Sequence, residues 1–238
     1  MCPGRGPDLP YSIVAGVTPC PSGWLVASAK LHGATFAPED PRVLASFIDV
    51  LDERPSFSVV ALNAPIGYAE SAEVGGRTCD RGARALLGRR ASSVHNAPTR
   101  ASMEEGVEGV DDRLDAISTQ LLPRYREVAS EMAPYRQRTV YEVHPELSFY
   151  QLNGDQPLRW SKSKKFEEGR EERRALVEMR IQGVDRILDA ELDGVPPTHL
   201  LDAAACLWTA RRIAARAAIR LPTDPEWDSQ GLRMEIVR

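Results

Sequence analysis

The chain has 238 residues, a length that suits one α/β domain with insertions and that can bury a full core. Hydrophobic residues make up 42% and charged residues 27% of it, which excludes a fibrous or disordered protein. The formal net charge of -4 at pH 7 argues against a protein that coats nucleic acid, but it allows a local basic surface for an anionic substrate.

Cysteine usage and the opening of the chain bear on its location. The four cysteines form no CxxC pair and stand at Cys2, Cys20, Cys79 and Cys206. No basic-then-apolar signal segment opens the chain, and no apolar run approaches the roughly 20 residues that span a bilayer. We expect a cytoplasmic protein that does not enter a membrane, with a flexible arm at residues 1–12 and a folded domain at 13–238.

The first elements predict the start of a sheet. Ile13–Val17 is a short apolar run typical of a buried strand, and breaker residues between Pro19 and Gly23 are expected to end it. Trp24–Leu31 predicts a second strand, and a third short strand begins at Gly33. The three strands are expected to form an antiparallel meander.

A helix, a buried strand and an insertion are predicted next. Apolar residues recur at helical spacing over Pro41–Arg54, and Ser58–Leu62 is a continuous apolar run. A crossover between them would place this fourth strand parallel to an earlier one. Residues 68–138 are expected to form a helical insertion or cap, with helical stretches at Asp80–Leu87 and Asp112–Leu122.

The last part of the chain returns to the sheet. Thr139–Val143 predicts a strand, and a second helical insertion is expected over about 150–195, including the charged helix Lys162–Arg180. Thr198 is suited to cap a helix that starts near His199, and Met234–Val237 predicts a final edge strand. The pattern indicates an α/β fold with a mixed sheet flanked by helices.

Several phrases along the chain resemble one family, the domain of unknown function 429 family. They are Gly16-Val17-Thr18-x-Cys20-Pro21-x-Gly23-Trp24, Asn63-x-Pro65-Ile66-Gly67, Cys79-Asp80-x-x-Ala83-Arg84, Ser92-Ser93-Val94 with Ala97-Pro98-x-Arg100, Glu142-Val143-His144-Pro145-Glu146 and Leu201-Asp202-Ala203. The resemblance runs from about Ile13 to Ile236. It implies a ribonuclease H-like fold, and the family is expected by analogy to contain nucleases, although a shared fold is a weak guide to activity.

By this resemblance, two positions that typically hold aspartate are neutral in this chain. Thr18 follows the first strand and Asn63 follows the fourth. Metal-dependent nucleases of this fold gather carboxylates there, because two divalent ions need hard, negatively charged oxygen ligands. The substitution predicts loss of the full two-metal site, with no metal ligand assigned. Thr18 and Asn63 are then substrate-binding candidates, and both also fit an ordinary turn at a strand end.

The remaining acidic and histidine residues give the catalytic candidates. Glu142 and His144 stand two apart, so on an extended strand their side chains share a face about 7 Å apart, and the pair suits proton transfer. Asp202 is the third candidate, and in the first turn of a helix it also fits favourable interaction with the helix dipole. A Glu-x-His next to a turn equally fits a structural role.

A basic segment predicts contact with an anion. Its arginines are interrupted by one acid, Asp80, and its substrate-binding candidates are Arg84, Arg89, Ser92, Ser93 and Arg100. The planar guanidinium group binds phosphate or carboxylate at two points. The same residues would also suit a solvated helix face.

Three functions fit these features. The first is a repurposed enzyme that acts on an anionic small molecule through Glu142 and His144, without a confident cofactor. The second is a nuclease that uses Mg or Mn bound by Glu142, Asp202 and Glu146, with Thr18 and Asn63 as weak ligands. The third is a non-catalytic protein that binds nucleic acid or a partner through arginines such as Arg89 and Arg90. An oligomer is compatible with each of them.

Overall fold

The computed structural model describes residues 10–103, 114–158 and 166–238. The strands are β1 Ser12–Cys20, β2 Gly23–His32, β3 Thr35–Pro38, β4 Arg42–Leu44, β5 Val59–Leu62, β6 Val140–Glu142, β7 Arg220–Trp227 and β8 Arg233–Val237. The helices are α1 Phe47–Asp52, α2 Thr78–Leu87, α3 Arg100–Met103, α4 Ala116–Glu131, α5 Pro145–Leu152, α6 Glu167–Arg180, α7 Asp185–Leu188 and α8 Pro197–Ala214. None of the helices in these ranges is long and apolar enough to cross a membrane.

The main sheet has six strands and mixed direction. Its order is β3-β2-β1-β5-β6, and β4 also pairs with β2. β1, β2 and β3 form the predicted antiparallel meander, while β5 lies parallel to β1 and β6 lies parallel to β5. The predicted α/β fold with helices around a mixed sheet is confirmed, and it is consistent with a ribonuclease H-like fold.

The helix predicted at Pro41–Arg54 begins later than expected. Residues 42–44 form strand β4 against β2, and the helix starts only at Phe47. Ser46 sets this start, because its hydroxyl accepts a hydrogen bond from the Asp49 N–H and the Asp49 carboxylate accepts one from the Ser46 N–H at 3.0 Å. This reciprocal capping box outweighs the apolar spacing at Val43 and Leu44.

Other boundaries also differ from the sequence prediction. β1 continues through Pro19 to Cys20, because its partner β2 pairs with it up to the turn. Helix α8 starts at Pro197, so Thr198 lies inside its first turn and does not cap it. The final strand pairs with β7, which its two prolines concealed, and these strands form a separate two-stranded sheet.

Some predicted segments lie partly outside the described residues. They are the flexible arm at 1–12, the helix Asp112–Leu122 and the helix Lys162–Arg180, for which the structure describes residues from 10, 114 and 166 onward. The described helices are α4, which extends to Glu131, and α6, which begins at Glu167.

The two faces of the main sheet carry different helices. One face packs against α8, with Val14, Ala61 and much of α8 in a shared core. The opposite face packs Val17 and Leu62 against residues of α1 and α4. Gly16 faces α8, where a Cβ atom would lie 2.3 Å from the Ala203 carbonyl oxygen and 2.2 Å from the Leu207 nitrogen. Only glycine allows this backbone-to-backbone approach.

Candidate functional site

Three parallel strands end together at one border of the sheet, which we call the carboxyl edge. Val17 is level with Leu62, and Leu62 is level with Glu142. Thr18 is the next residue of β1 and Asn63 follows the end of β5, and the Asn63 side-chain nitrogen donates to the Thr18 hydroxyl at 2.9 Å. The structure therefore places the two neutral candidates side by side. Thr18 is only 2% exposed, so each polar group satisfies the other where water is scarce.

Thr18 and Asn63 belong to the face of the sheet that α8 covers. Thr18 is opposite Leu25, a member of the core beneath α8, and stands two residues after Gly16. Side chains alternate between faces along a strand, so Thr18 points to the same side as Gly16. Asn63 lies on that side as well, because it reaches the Thr18 hydroxyl.

Asp202 lies in helix α8, which covers the face of the sheet that carries Thr18 and Asn63. The Ser148 and Thr209 hydroxyls are 2.7 Å apart, and the Gln151 amide, in the orientation that satisfies both its ends, accepts from Arg212 at 2.8 Å. From the first contact to the second, each helix advances by three residues, so α5 and α8 run side by side in the same direction. Asp202, nearly two turns before Thr209, thus lies on the α5 side of α8, just beyond the start of α5. It is 6% exposed.

Glu142 occupies the opposite face of the sheet. It is level with Leu62 and two residues after Val140, and both belong to the core beneath α1 and α4. Its carboxylate accepts two hydrogen bonds from the Arg77 guanidinium, at 2.5 and 2.9 Å, and one from the Ile66 N–H at 2.9 Å. Burial raises the pKa of Glu142, against the lowering effect of Arg77.

Arg77 is the centre of a buried ion cluster that the sequence did not single out. The residue is 4% exposed, and its five donors go to Glu142, Asp80 and the Gly67 carbonyl. Burial opposes its charge, but the adjacent acids, Asp80 first, outweigh this and raise the pKa of Arg77. Ligand atoms of Cys79, Asp80 and Glu142 lie within 4.8 Å of one another. The guanidinium already supplies the positive charge that such a group requires.

His144 caps helix α5. Its Nδ1 accepts a hydrogen bond from the Glu146 N–H at 3.2 Å, and its Nε2 lies 3.0 Å from the Ser93 carbonyl oxygen. A carbonyl can only accept, so Nε2 carries the proton and the ring is the neutral tautomer. Among the described residues, the hydrogen bonds of the Glu142 side chain go to Arg77 and Ile66. The pairing of Glu142 with His144 as acid and base therefore stays a prediction.

The comparisons with known proteins give one match. Residues 16–227 match the family described as protein of unknown function (DUF429). The chain belongs to the DUF429 family. No curated protein matches the sequence, and no solved structure matches it.

The DUF429 phrases meet around the carboxyl edge. The first phrase ends β1 and opens β2, the second follows β5, and the Glu142–Glu146 phrase links β6 to α5. The Cys79–Arg84 phrase lies in α2, which the Arg77 cluster ties to β6. The edge thus collects the phrases that define the resemblance, although they are far apart in the chain.

The arginines predicted to bind substrate have unequal roles. Arg84 donates to the Val94 carbonyl at 2.9 Å and to the Asn96 side chain at 2.6 Å, so it ties α2 to the following loop. Arg100 pairs with the buried Asp228 and lies over the Tyr68 ring, 5.2 Å from its centre. Both guanidinium groups are used within the fold.

A short 3-10 helix, Gly88–Ser93, carries the other candidates, and we call it the arginine segment. Arg89 and Ser92 are exposed on it. Ser93 holds the segment together, because its hydroxyl donates to the Arg90 carbonyl at 2.7 Å while its own carbonyl binds His144. The arginine segment is thereby fixed beside the start of α5.

The three carboxylates of the nuclease hypothesis have different surroundings. Glu142 lies on the face opposite α8, and Glu146 pairs with the fully buried Arg173 at 2.6 Å. Asp202 is the one of the three that α8 brings to the Thr18 and Asn63 side. A cavity of about 600 Å³ lies by the loop between α7 and α8, and none of these three carboxylates lines it.

Proposed function

We propose that this DUF429 protein is an enzyme that acts on an anionic small molecule at the carboxyl edge, on the face covered by α8. The observation that carries the proposal is the parallel course of α5 and α8, since it brings Asp202 to the side of Thr18 and Asn63. In the proposed site, the Asp202 carboxylate acts on a substrate that the Thr18 hydroxyl and the Asn63 amide orient.

In this proposal Asp202 transfers the proton. Thr18 and Asn63 can turn their hydroxyl and amide towards a substrate once it displaces their mutual hydrogen bond. His144 is a positioning residue, because it holds the arginine segment through Ser93 and the first turn of α5 through Glu146. Glu142 balances the charge of Arg77 from the opposite face.

The residues at the edge do not fit a two-metal centre. Thr18 and Asn63 provide neutral ligands, so two positions where the family resemblance leads us to expect aspartate carry no formal charge. Magnesium is usually held by carboxylates in an octahedral set, and two ions need several such charges. A metal-dependent nuclease therefore receives less support, and no step is assigned to Mg or Mn. The remaining alternative to an enzyme is a binding protein, which would turn over no substrate.

The experiment compares two chromogenic esters, p-nitrophenyl phosphate and bis(p-nitrophenyl) phosphate, with EDTA and with Mg or Mn. We expect metal-independent turnover of the monoester, and a loss of about 100-fold or more in Asp202→Asn, because positioned acid–base groups contribute 10²–10⁴-fold. Asp193→Asn, an exposed change of the same kind, is the control and should retain activity.

Two results would contradict this proposal. Turnover of the diester only with Mg or Mn would support the nuclease instead. Anion binding without Asp202-dependent turnover of either ester would support the binding protein.

A further inference from the structure

Arg90 is a partly buried arginine near the edge, and its hydrogen-bond donors are poorly used. Its side chain is 18% exposed, and its closest acceptor is Glu146 Oε1, 3.5 Å from Nη2. Its Nε is buried without a hydrogen-bond partner among the described residues. A buried donor without an acceptor is costly, so this geometry indicates a site completed by another molecule.

The carboxylate that Arg90 approaches is already shared. The other oxygen of Glu146 binds Arg173 at 2.6 Å, and Arg173 lies over the Phe149 ring, 5.4 Å from its centre. Arg90 therefore holds the weaker position on this carboxylate. Arg100 likewise has a buried Nε without a partner among the described residues. The charge of Arg100, however, is balanced by a direct ion pair with Asp228.

The backbone that carries Arg90 is fixed from two sides. The Ser93 hydroxyl donates to the Arg90 carbonyl, and His144 donates to the Ser93 carbonyl. Only the Arg90 side chain then has to move for the guanidinium to turn away from Glu146. A guanidinium offers Nε and Nη as two parallel donors, which matches two oxygens of one anion.

We infer that Arg90 is the residue that binds the anionic group of the substrate, and that Glu146 holds its place when no anion is bound. The inference rests on the proposed function, because it completes the same edge. The ligand chemistry is an oxyanion with two oxygens available to one guanidinium, carried by a phosphate or a carboxylate.

The test is calorimetric titration with inorganic pyrophosphate and with citrate at constant ionic strength. The variants are Arg90→Gln, Arg90→Lys and Arg136→Gln, and thermal melting checks that each is folded. Arg136 provides the control because it precedes β6 at the opposite edge and pairs with Glu131 at 3.1 Å. We expect Arg90→Gln to weaken binding about tenfold or more, Arg90→Lys to weaken it less, and Arg136→Gln to leave it within about twofold.

Each outcome decides a different question. Tighter binding of pyrophosphate would assign the anion to phosphate chemistry, and tighter binding of citrate to carboxylate chemistry; Arg90 dependence in either case supports the inference. Equal weakening in the Arg90 and Arg136 variants, or no weakening in Arg90→Gln, would overturn it, as would absence of binding of both anions at about 10 mM. The titration measures binding and not turnover. The inference about Arg90 can therefore be overturned while the proposed role of Asp202 is supported, or the other way round.

Discussion

The two faces of the sheet use charge in opposite ways at the same edge. On the α1 and α4 face, all five donors of Arg77 are bonded and the cluster is sealed from solvent. On the α8 side, Thr18 and Asn63 bond each other. Beside the start of α5, the Arg90 Nε is a buried donor without a partner among the described residues. Glu142 is therefore a member of a fully bonded ion cluster, and the proposed function assigns binding to the other face.

The largest expected effect comes from removing the charge at the centre of the sealed cluster. Arg77→Met should lower the free energy of unfolding by about 3–5 kcal/mol, because it leaves Asp80 and Glu142 buried without their cation. Arg81→Met is the control, since Arg81 forms an exposed pair with Glu73 and its loss should change the free energy of unfolding far less. Urea denaturation measures both. If Arg77→Met lowers the free energy of unfolding by less than about 1 kcal/mol, the Arg77 cluster does not stabilise the fold, and the contrast drawn between the two faces of the sheet is wrong.

Restoring charge on the other face should have the next largest effect. In Thr18→Asp with Asn63→Asp, two carboxylates share a buried position, so we expect the free energy of unfolding to fall by about 3 kcal/mol without metal. Mn should recover part of this loss in the variant and should bind it in calorimetry. If the unaltered protein binds Mn or Mg equally well, the neutral pair has not removed a metal site.

A smaller effect is expected at the His144 cap. His144→Ala removes the cap on α5 and the hydrogen bond to Ser93, which should cost about 1–2 kcal/mol. His144→Asn should recover the part due to the cap, because Asn is a good N-cap residue, but its shorter side chain is not expected to reach Ser93. Urea denaturation gives the energies, and hydrogen exchange should be faster over Gly88–Ser93 in both variants. Unchanged exchange there would contradict the role of His144 in holding the arginine segment.

The smallest effect concerns access to the sealed cluster. Burial raises the pKa of the Cys79 thiol well above its usual value, so little thiolate forms at pH 8. We expect iodoacetamide to alkylate Cys79 far more slowly in the native protein than in urea, as measured by mass spectrometry of the Cys79 peptide. Rapid native alkylation would show that this face opens to solvent.

The sequence predicted where the apolar runs of β1 and β5 end better than it predicted the contacts of the side chains near the edge. Thr18 and Asn63 were predictable because a run of apolar residues ends just before each, and parallel strands end at one edge. β6 ends at Glu142, and His144 caps α5. The Glu-x-His spacing did not indicate this capping role.

Long-range charge pairing was also hidden from the sequence. Arg77 and Glu142 lie 65 positions apart, and Glu146 and Arg173 lie 27 apart. The three-residue spacing of Arg77 and Asp80 was a local signal for a helix-start pair, but nothing nearby indicated Glu142. At β4 and β7, pairing with another strand, β2 and β8 respectively, determined the structure against local apolar spacing and prolines.

The contact at Gly16 has a consequence for how the edge tolerates change. Because α8 meets β1 backbone to backbone, the height of this helix above the sheet depends on main-chain dimensions rather than on the volume of a side chain between them. Substitutions that enlarge or shrink neighbouring core residues would first displace elements that rest on side chains. We therefore expect many substitutions in the hydrophobic core to leave the position of Asp202 nearly unchanged.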